Sequence, residues 1–336
     1  MLRKIITALA LAALLSCPAD ALTGTRRVLI SGNSFIWVQP GAAVDFDLAG
    51  GRTFGCTIAS CLSLTRASPE TNLLPSSPAG FAYTSYGNGV FAFNANGLQI
   101  YESRTNQLLN STAPATQTTP ALAATAQTLW VNGSGSAALS NGTATGCTGT
   151  ATNGSPVTFT PTAGTCTVTV TGSLFFFQLE AGAFGTPGIV TAGSPVTRAN
   201  DDITATGNLL AVANGTTGGA YVQFIGNGQT IPFFIAGNNH ELISSSSGKA
   251  NMWNGTTALQ ATAGSGGLTT GGKIASAWTP SSRRLQFNNG VVASDANGAG
   301  TGTPIFIGRA AGGGSYLDST LQRMTLFSSN TLAPTQ

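Results

Sequence analysis

Short apolar or alternating stretches, separated by turn-forming pairs, make up the middle of this chain. They are residues 129–131, 137–139, 157–159, 166–170 and 174–179, and Asn-Gly pairs stand between several of them. Stretches of this length predict β-strands, and Asn-Gly favours tight turns because both residues tolerate positive φ. The pattern therefore predicts a β-sandwich in this region.

A second series of short apolar stretches follows residue 200. Its members are residues 209–213, 220–225, 231–236, 241–244, 250–253, 274–278, 284–287, 304–307 and 321–327. Their even spacing is typical of another sandwich. Upstream, the aromatic-rich residues 80–100 predict strands joined by a hairpin turn at Asn88-Gly89. We predict an all-β fold of two tandem antiparallel, jelly-roll-like β-sandwich modules, residues 22–200 and 201–336.

Composition agrees with this fold class and excludes others. Only 7% of the 336 residues are charged and 44 are Gly. The chain therefore lacks the Glu, Lys and Arg that cover the exposed faces of long surface helices. The formal net charge is +3, and the 14 Lys and Arg residues form no basic stripe. Since binding nucleic acid requires clustered cations, we expect no nucleic-acid partner.

Residues 1–21 form a separate hydrophobic segment. A basic pair precedes an apolar run over residues 5–15, and small residues follow it. This order is typical of a secretory signal peptide cleaved before Leu22, and the run is too short to span a bilayer. Two alternatives stay open. Cys17 could be lipidated as in a lipoprotein, or the segment could be an uncleaved tail packed inside a larger assembly.

Four cysteines outside this segment fall into two local pairs, which suits an exported protein. Cys56 and Cys61 could close a small loop, and Cys147 and Cys166 lie in Thr-rich segments that could be neighbouring strands. We therefore predict pairing by proximity, although four cysteines allow three connectivities. Zinc binding is the alternative, and its ligand spacing would be unusual.

Two ordered motifs resemble those of a β-sandwich module of phage head-spike and tail-fibre proteins. The first is ESRTN at residues 102–106, and the second runs from QLEAG at residues 178–182 to VTRA at residues 196–199. The resemblance covers roughly residues 40 to 202. It implies a structural role on a phage particle, where fibres of this type are commonly trimers.

The last third of the chain resembles concanavalin A-like, laminin-G-like jelly rolls. The resemblance rests on the strand around Ile274, on Asn289-Gly290, on IGR at residues 307–309 and on LD at residues 317–318. One departure is Asp318-Ser319, where the family usually has Asp-Gly, so the tightness of that turn is in question.

Catalytic chemistry is poorly represented in the sequence. Glycosidases need two carboxylates flanking the glycosidic bond. The sequence contains no Glu-x-Asp-x-x-Glu string that would place such a pair on one strand. Asp45 and Asp47 share one face of a predicted strand and could bind calcium, but a solvated strand face explains them better. His240 is the only histidine, and its polar surroundings fit a surface residue. We expect no enzyme activity, cofactor or metal.

Binding is the remaining function. Aromatic faces and neutral hydrogen-bonding groups hold sugars, and β-sandwiches present both readily. The candidate carbohydrate-binding residues are Asn238, Asn239, His240, Asn251 and Trp253, whereas Trp130 and Trp278 fit structural positions.

Three functional hypotheses follow. The first is a non-enzymatic phage or prophage virion protein, a head spike or tail fibre on the virion surface. It would attach to host glycans, assemble with other virion proteins and form a homo-oligomer. The second is a secreted or lipid-anchored bacterial lectin-like protein, which the signal-like segment favours. The third is a glycan-degrading enzyme.

Overall fold

The protein is described by a computed structural model covering residues 27–31, 34–38, 42–226, 233–237, 240–246, 248–264, 267, 270–300, 302–311 and 315–329. The signal-like segment and Cys17 lie outside these residues. Within them the chain forms short β-strands and two short helices. The predicted all-β class is confirmed.

The elements, in chain order, have the following bounds. The strands are β1 Arg27–Ser31, β2 Ser34–Val38, β3 Ala42–Asp47, β4 Arg52–Phe54, β5 Leu62–Thr65, β6 Glu70–Thr71, β7 Ser85–Tyr86, β8 Phe93–Asn94, β9 Gly97–Ile100, β10 Arg104–Asn106, β11 Gln117–Thr118, β12 Gln127–Gly133, β13 Ser136–Asn141, β14 Gly149–Thr152, β15 Val157–Phe159, β16 Cys166–Thr171, β17 Leu174–Ala181, β18 Val196–Arg198, β19 Asp202–Ala205, β20 Gly218–Ile225, β21 Phe233–Gly237, β22 His240–Ser246, β23 Lys249–Trp253, β24 Ala258–Ala261, β25 Gly271–Thr279, β26 Ser282–Phe287, β27 Ala293–Asp295, β28 Ile305–Ile307 and β29 Ser319–Phe327. The helices are α1 Ile58–Cys61 and α2 Gly207–Ala213.

Two large antiparallel sheets form the main sandwich. One has the order β27-β26-β25-β20-β29-β3-β4, with β9 also pairing to β29 and β8 to β9. The other has the order β24-β23-β22-β21-β28-β19-β5. Side chains such as Phe46 and Met324 from the first sheet and Ile235 and Ile307 from the second share one buried core.

The predicted boundary at residue 200 does not divide these sheets. β3 pairs with β29 near the end of the chain, and β5 pairs with β19. The main sandwich therefore takes strands from both predicted modules. The pairing satisfies backbone groups along β29 and β19, which would otherwise be edges open to pairing with another chain.

A smaller sandwich is inserted between β9 and β19, and we call residues 104–198 the inserted unit. Its sheets have the orders β11-β16-β13-β14 and β15-β12-β17, and β10 pairs with β18 where the unit begins and ends. Its own apolar core includes Leu129, Val168 and Phe177. The disulfides Cys56–Cys61 and Cys147–Cys166 both form, which confirms pairing by proximity.

Residues 66–90, which we call the strap, run from the main sandwich across the inserted unit. Leu73 and Tyr83 of the strap pack with Trp130 and Phe176. The prediction of a hairpin at Asn88-Gly89 is wrong. The strands on either side of this pair do not pair with each other: β7 pairs with β6, and β8 pairs with β9. Gly89 nevertheless makes a turn with φ of 65°.

Two further expectations are corrected by the structure. Residues 209–213 were expected as a strand but lie in α2, where Leu209 and Ala213 are buried on one helical face. Asp45 is not on a solvated face: it is 3% exposed and accepts hydrogen bonds from Arg323 and Thr325. Neither helix of the described residues is long and apolar enough to cross a bilayer.

Candidate functional site

Strand β23 alternates between the two faces of the seven-stranded sheet. Ala250 and Met252 belong to the sandwich core, so Asn251 and Trp253 lie on the outer face. Glu241 is directly opposite Trp253, and Ser244 is opposite Asn251. Opposed residues have Cβ atoms about 4.5 to 5.5 Å apart. We call Glu241, Ser244, Asn251 and Trp253 the outer-face patch.

Hydrogen bonds fix the polar members of the outer-face patch. Ser244 Oγ and Asn251 Nδ2 both donate to Glu241 Oε2, the latter at 3.0 Å, and Asn251 Nδ2 also reaches Ser244 Oγ at 3.2 Å. Ser244 and Asn251 are buried, whereas Glu241 and Trp253 are half-buried. The carboxylate is therefore held in one orientation with part of its surface open to solvent.

Two polar atoms of the outer-face patch remain available to a ligand, and a third is buried without a partner. Asn251 Oδ1 is buried without a hydrogen-bond partner. Within the part of the chain that the structure describes, Glu241 Oε1 accepts no hydrogen bond and Trp253 Nε1 donates none. One acceptor, Glu241 Oε1, and one donor, Trp253 Nε1, are thus available on residues that lie directly opposite each other. A buried acceptor without a partner is rare in native proteins, but Asn251 Oδ1 is enclosed by the protein. Asn251 therefore contributes by holding the Glu241 carboxylate through its Nδ2.

The structure brings together only part of the predicted site. Asn251 and Trp253 share the outer-face patch. Asn238 and Asn239 lie outside the described residues. His240 begins β22 opposite Gly237, and its side chain is also outside them. The sequence interpretation missed Glu241 and Ser244. They could be identified only from the pairing of β22 with β23, which places them opposite Trp253 and Asn251.

The two motifs that resemble the phage module come together in the structure. Arg104 of ESRTN pairs in register with Arg198 of VTRA, and Thr105 contacts Thr197 through their hydroxyls at 2.7 Å. Asn106 Nδ2 donates to the carbonyls of Phe177 and Ile189. These residues close the inserted unit, so their role is structural.

A buried ionic cluster joins the inserted unit to the main sandwich. Arg66 Nη1 bonds Glu70 at 2.7 Å and Asp201 at 2.6 Å, and Arg198 Nη1 bonds Glu70 at 2.8 Å. Burial raises the pKa of Glu70 to about 7, against the opposing effect of Arg198. Because all four side chains are buried and already paired, the cluster serves the junction and offers little to a ligand.

Glu180 of QLEAG is a second buried carboxylate with a structural role. It accepts hydrogen bonds from Thr186 N at 2.7 Å, Thr186 Oγ1 at 2.6 Å, Gln178 Nε2 at 2.9 Å and Trp130 Nε1 at 3.3 Å. Burial raises the pKa of Glu180. Among the described residues, no group of three or more His, Cys, Asp or Glu side chains is placed to hold a metal ion.

Comparisons with known proteins identify no family for this chain. No family model matches the chain, and no curated protein matches it significantly. Among solved structures, the mouse laminin α1 chain, domains LG4-5, matches with 12% identity and a TM-score of 0.24, over 70% of this chain and 90% of that one. Nothing matched corresponds to the phage module. At this TM-score the likeness carries no argument about ligand or partner.

Proposed function

We propose that this protein is a non-enzymatic attachment protein that binds neutral surface glycans through the outer-face patch. The observation that carries the proposal is the placement of Glu241, with Oε1 free among the described residues, directly opposite the half-buried Trp253 on the outer face. Sugar hydroxyls donate and accept hydrogen bonds, and the C–H face of a sugar ring stacks on an aromatic face. The outer-face patch supplies a fixed set of complementary groups.

Charge also supports a neutral sugar over other ligands. Glu241 would repel a phosphate or sulfate, and a single carboxylate is too little to hold a strongly cationic peptide. One patch of this size gives weak binding, so useful attachment requires several copies acting together. A homo-oligomer, a trimer by analogy with phage fibres, would supply that multivalency.

The proposed location is the surface of a phage or prophage particle, in contact with other virion proteins. The support is the motif resemblance at residues 102–106 and 178–199. A secreted or envelope-anchored lectin-like protein is the second candidate, and the signal-like segment and the two disulfides favour it, because disulfides persist in oxidising compartments.

Binding is tested with the purified full-length protein on an array of bacterial surface polysaccharides. Wild type should bind at least one neutral glycan, and Trp253→Ala and Glu241→Ala should each reduce its affinity about tenfold or more. Phe175→Ala is the matched control, because Phe175 is 57% exposed on the inserted unit, away from the outer-face patch. Equal binding by Trp253→Ala and wild type would refute the assignment.

Location is tested by mass spectrometry of purified particles, cell envelope and culture fluid under non-reducing conditions. Chains that begin at Met1 in particles would establish the virion protein. Chains that begin at Leu22 or at lipidated Cys17 outside particles would establish the exported lectin-like protein.

A further inference from the structure

A cavity of about 310 Å³ lies where the strap, the inserted unit and the nine-stranded sheet meet. Thr128, Thr158 and Phe184 line it from the inserted unit, Tyr101 and Thr320 from the main sandwich, and Pro75 from the strap. We call it the junction cavity. Its volume is at the lower end of the range of small-molecule sites, which commonly lie between structural units.

The junction cavity is uncharged, and its mainly apolar lining carries several hydroxyl groups. Of the described residues that line it, none has a charged side chain. Its hydroxyls are held in place: Thr128 Oγ1 lies 3.0 Å from Thr158 Oγ1 and 2.8 Å from Gly182 O, and Asn94 donates to Thr320 Oγ1 at 2.9 Å. Each hydroxyl has two acceptor sites and one donor. Thr128 is fully buried and Thr320 is 3% exposed, so the exposed Thr158 is the one of these hydroxyls that is open to a further partner.

An aromatic ring at the wall is also fixed. The Arg104 guanidinium lies 5.0 Å from the centre of the Phe184 ring, and Arg104 is itself paired with Glu102. The strap also packs closely against Gly185, the residue after Phe184. A Cβ at Gly185 would lie 2.7 Å from Pro75 of the strap and 2.8 Å from Trp130. The walls are therefore formed before any ligand arrives, and a preformed site spares the cost of ordering on binding.

We propose that the junction cavity is a second saccharide site, which binds one neutral sugar ring. Fixed hydroxyls and an aromatic face match a polyhydroxylated ring, whereas a charged ligand would be desolvated without a counter-charge. This site is separate from the outer-face patch and does not rest on it. Two weak sites on one chain would add avidity on a glycan surface.

The test is ligand-observed NMR on the full-length protein with glucose, galactose and N-acetylglucosamine, beside glucosamine and glucuronate as charged comparators. The measurements use the Trp253→Ala variant, so that binding at the outer-face patch does not contribute. At least one neutral sugar should bind, and the charged sugars should bind about tenfold more weakly. Equal binding of the charged sugars, or no binding of any sugar, would overturn the proposal.

Two variants locate the binding. Ala183 is exposed at the rim of the junction cavity, so Ala183→Trp should obstruct it and reduce affinity about tenfold or more. Ala124→Trp, at another exposed alanine of the inserted unit, is the matched control. Thr158→Val removes one hydroxyl at constant shape and should reduce affinity about threefold to tenfold. Unchanged affinity in both Ala183→Trp and Thr158→Val, with folding verified by circular dichroism, would place the sugar elsewhere.

Discussion

The main sandwich and the inserted unit are both β-sandwiches, but they are stabilised differently. Among the described residues, the buried apolar cluster of the main sandwich has 32 members and that of the inserted unit has 14. Small units bury a smaller fraction of their surface and are correspondingly marginal. The inserted unit compensates with buried polar residues, of which Asn106, Gln178 and Glu180 are all 0% exposed.

This difference shows where each region is vulnerable. In the main sandwich, packing of apolar side chains supplies stability. Truncating such a side chain lowers the free energy of unfolding by an amount that grows with the volume of the cavity left behind. In the inserted unit, a few hydrogen-bonded side chains satisfy many backbone and side-chain groups at once. Loss of one such side chain leaves several buried partners unsatisfied.

The largest expected effect is at Glu180. Glu180→Ala should cost about 3 to 5 kcal/mol in the free energy of unfolding, because the Thr186, Gln178 and Trp130 donors lose their acceptor. Glu180→Gln keeps the shape and one acceptor oxygen, and should cost about 1 kcal/mol. Urea denaturation measures both. Equal costs would show that the carboxylate acts by packing alone.

A similar loss is expected at Phe46 in the main sandwich, for a different reason. Phe46 is fully buried, so Phe46→Ala should cost about 3 to 5 kcal/mol through an unfilled cavity. Phe46→Leu should recover more than half of that loss, whereas no apolar residue should substitute at Glu180. Denaturation that shows no recovery by Leu would contradict the contrast between the two regions.

The two disulfides place one crosslink in each region. The chain-entropy estimate depends on the loop that is closed. Cys147→Ala/Cys166→Ala, with a separation of 19 residues, should cost about 3 kcal/mol. Cys56→Ala/Cys61→Ala, with a separation of 5, should cost about 2 kcal/mol. Thermal unfolding of the two double variants gives the order, and a reversed order would mean that loop length is not the main factor.

Asp318, the buried residue directly before β29, gives a pH-dependent test in the main sandwich. Burial, and then the charge of Glu102, raise the pKa of Asp318 from 3.8 to about 6. Its stabilising contribution is therefore complete below pH 3.8 and is lost as the pH rises through about 6. Asp318→Asn does not titrate, and Asn tolerates the φ of 50° at this position.

We therefore expect Asp318→Asn to be more stable than wild type at pH 7 by about 2 kcal/mol, with the gain shrinking toward pH 4. Urea midpoints across this pH range measure the difference. A gain that does not vary with pH would show that the carboxyl group does not titrate as its burial implies.

The smallest effect is expected at Arg52. Its guanidinium lies 3.7 Å from Asp47 and its side chain is 45% exposed. Since exposed ion pairs contribute little, Arg52→Ala should cost less than about 0.5 kcal/mol in denaturant unfolding. A loss above about 1 kcal/mol would show that surface charge supports the main sandwich more than its apolar core suggests.

The sequence itself determined the local features of this protein. Alternation and turn pairs predicted most strands of the inserted unit and of the second series, including β12, β17, β23 and β29. Proximity predicted both disulfides, and Trp130 and Trp278 are buried as expected. These features depend on residues close together in the chain, where backbone preferences and side-chain periodicity act directly.

Only the tertiary structure decided which strands meet. The pairing of β3 with β29 spans nearly the whole chain, and no local pattern records a partner that distant. The same pairing places Asp45 beside Arg323 and so reverses its predicted exposure. Likewise, the sequence could propose Trp253 and Asn251 as ligand-binding residues, but Glu241 lies beside them only because β22 pairs with β23. Alternation states which residues share a face, while long-range strand pairing determines what that face contacts.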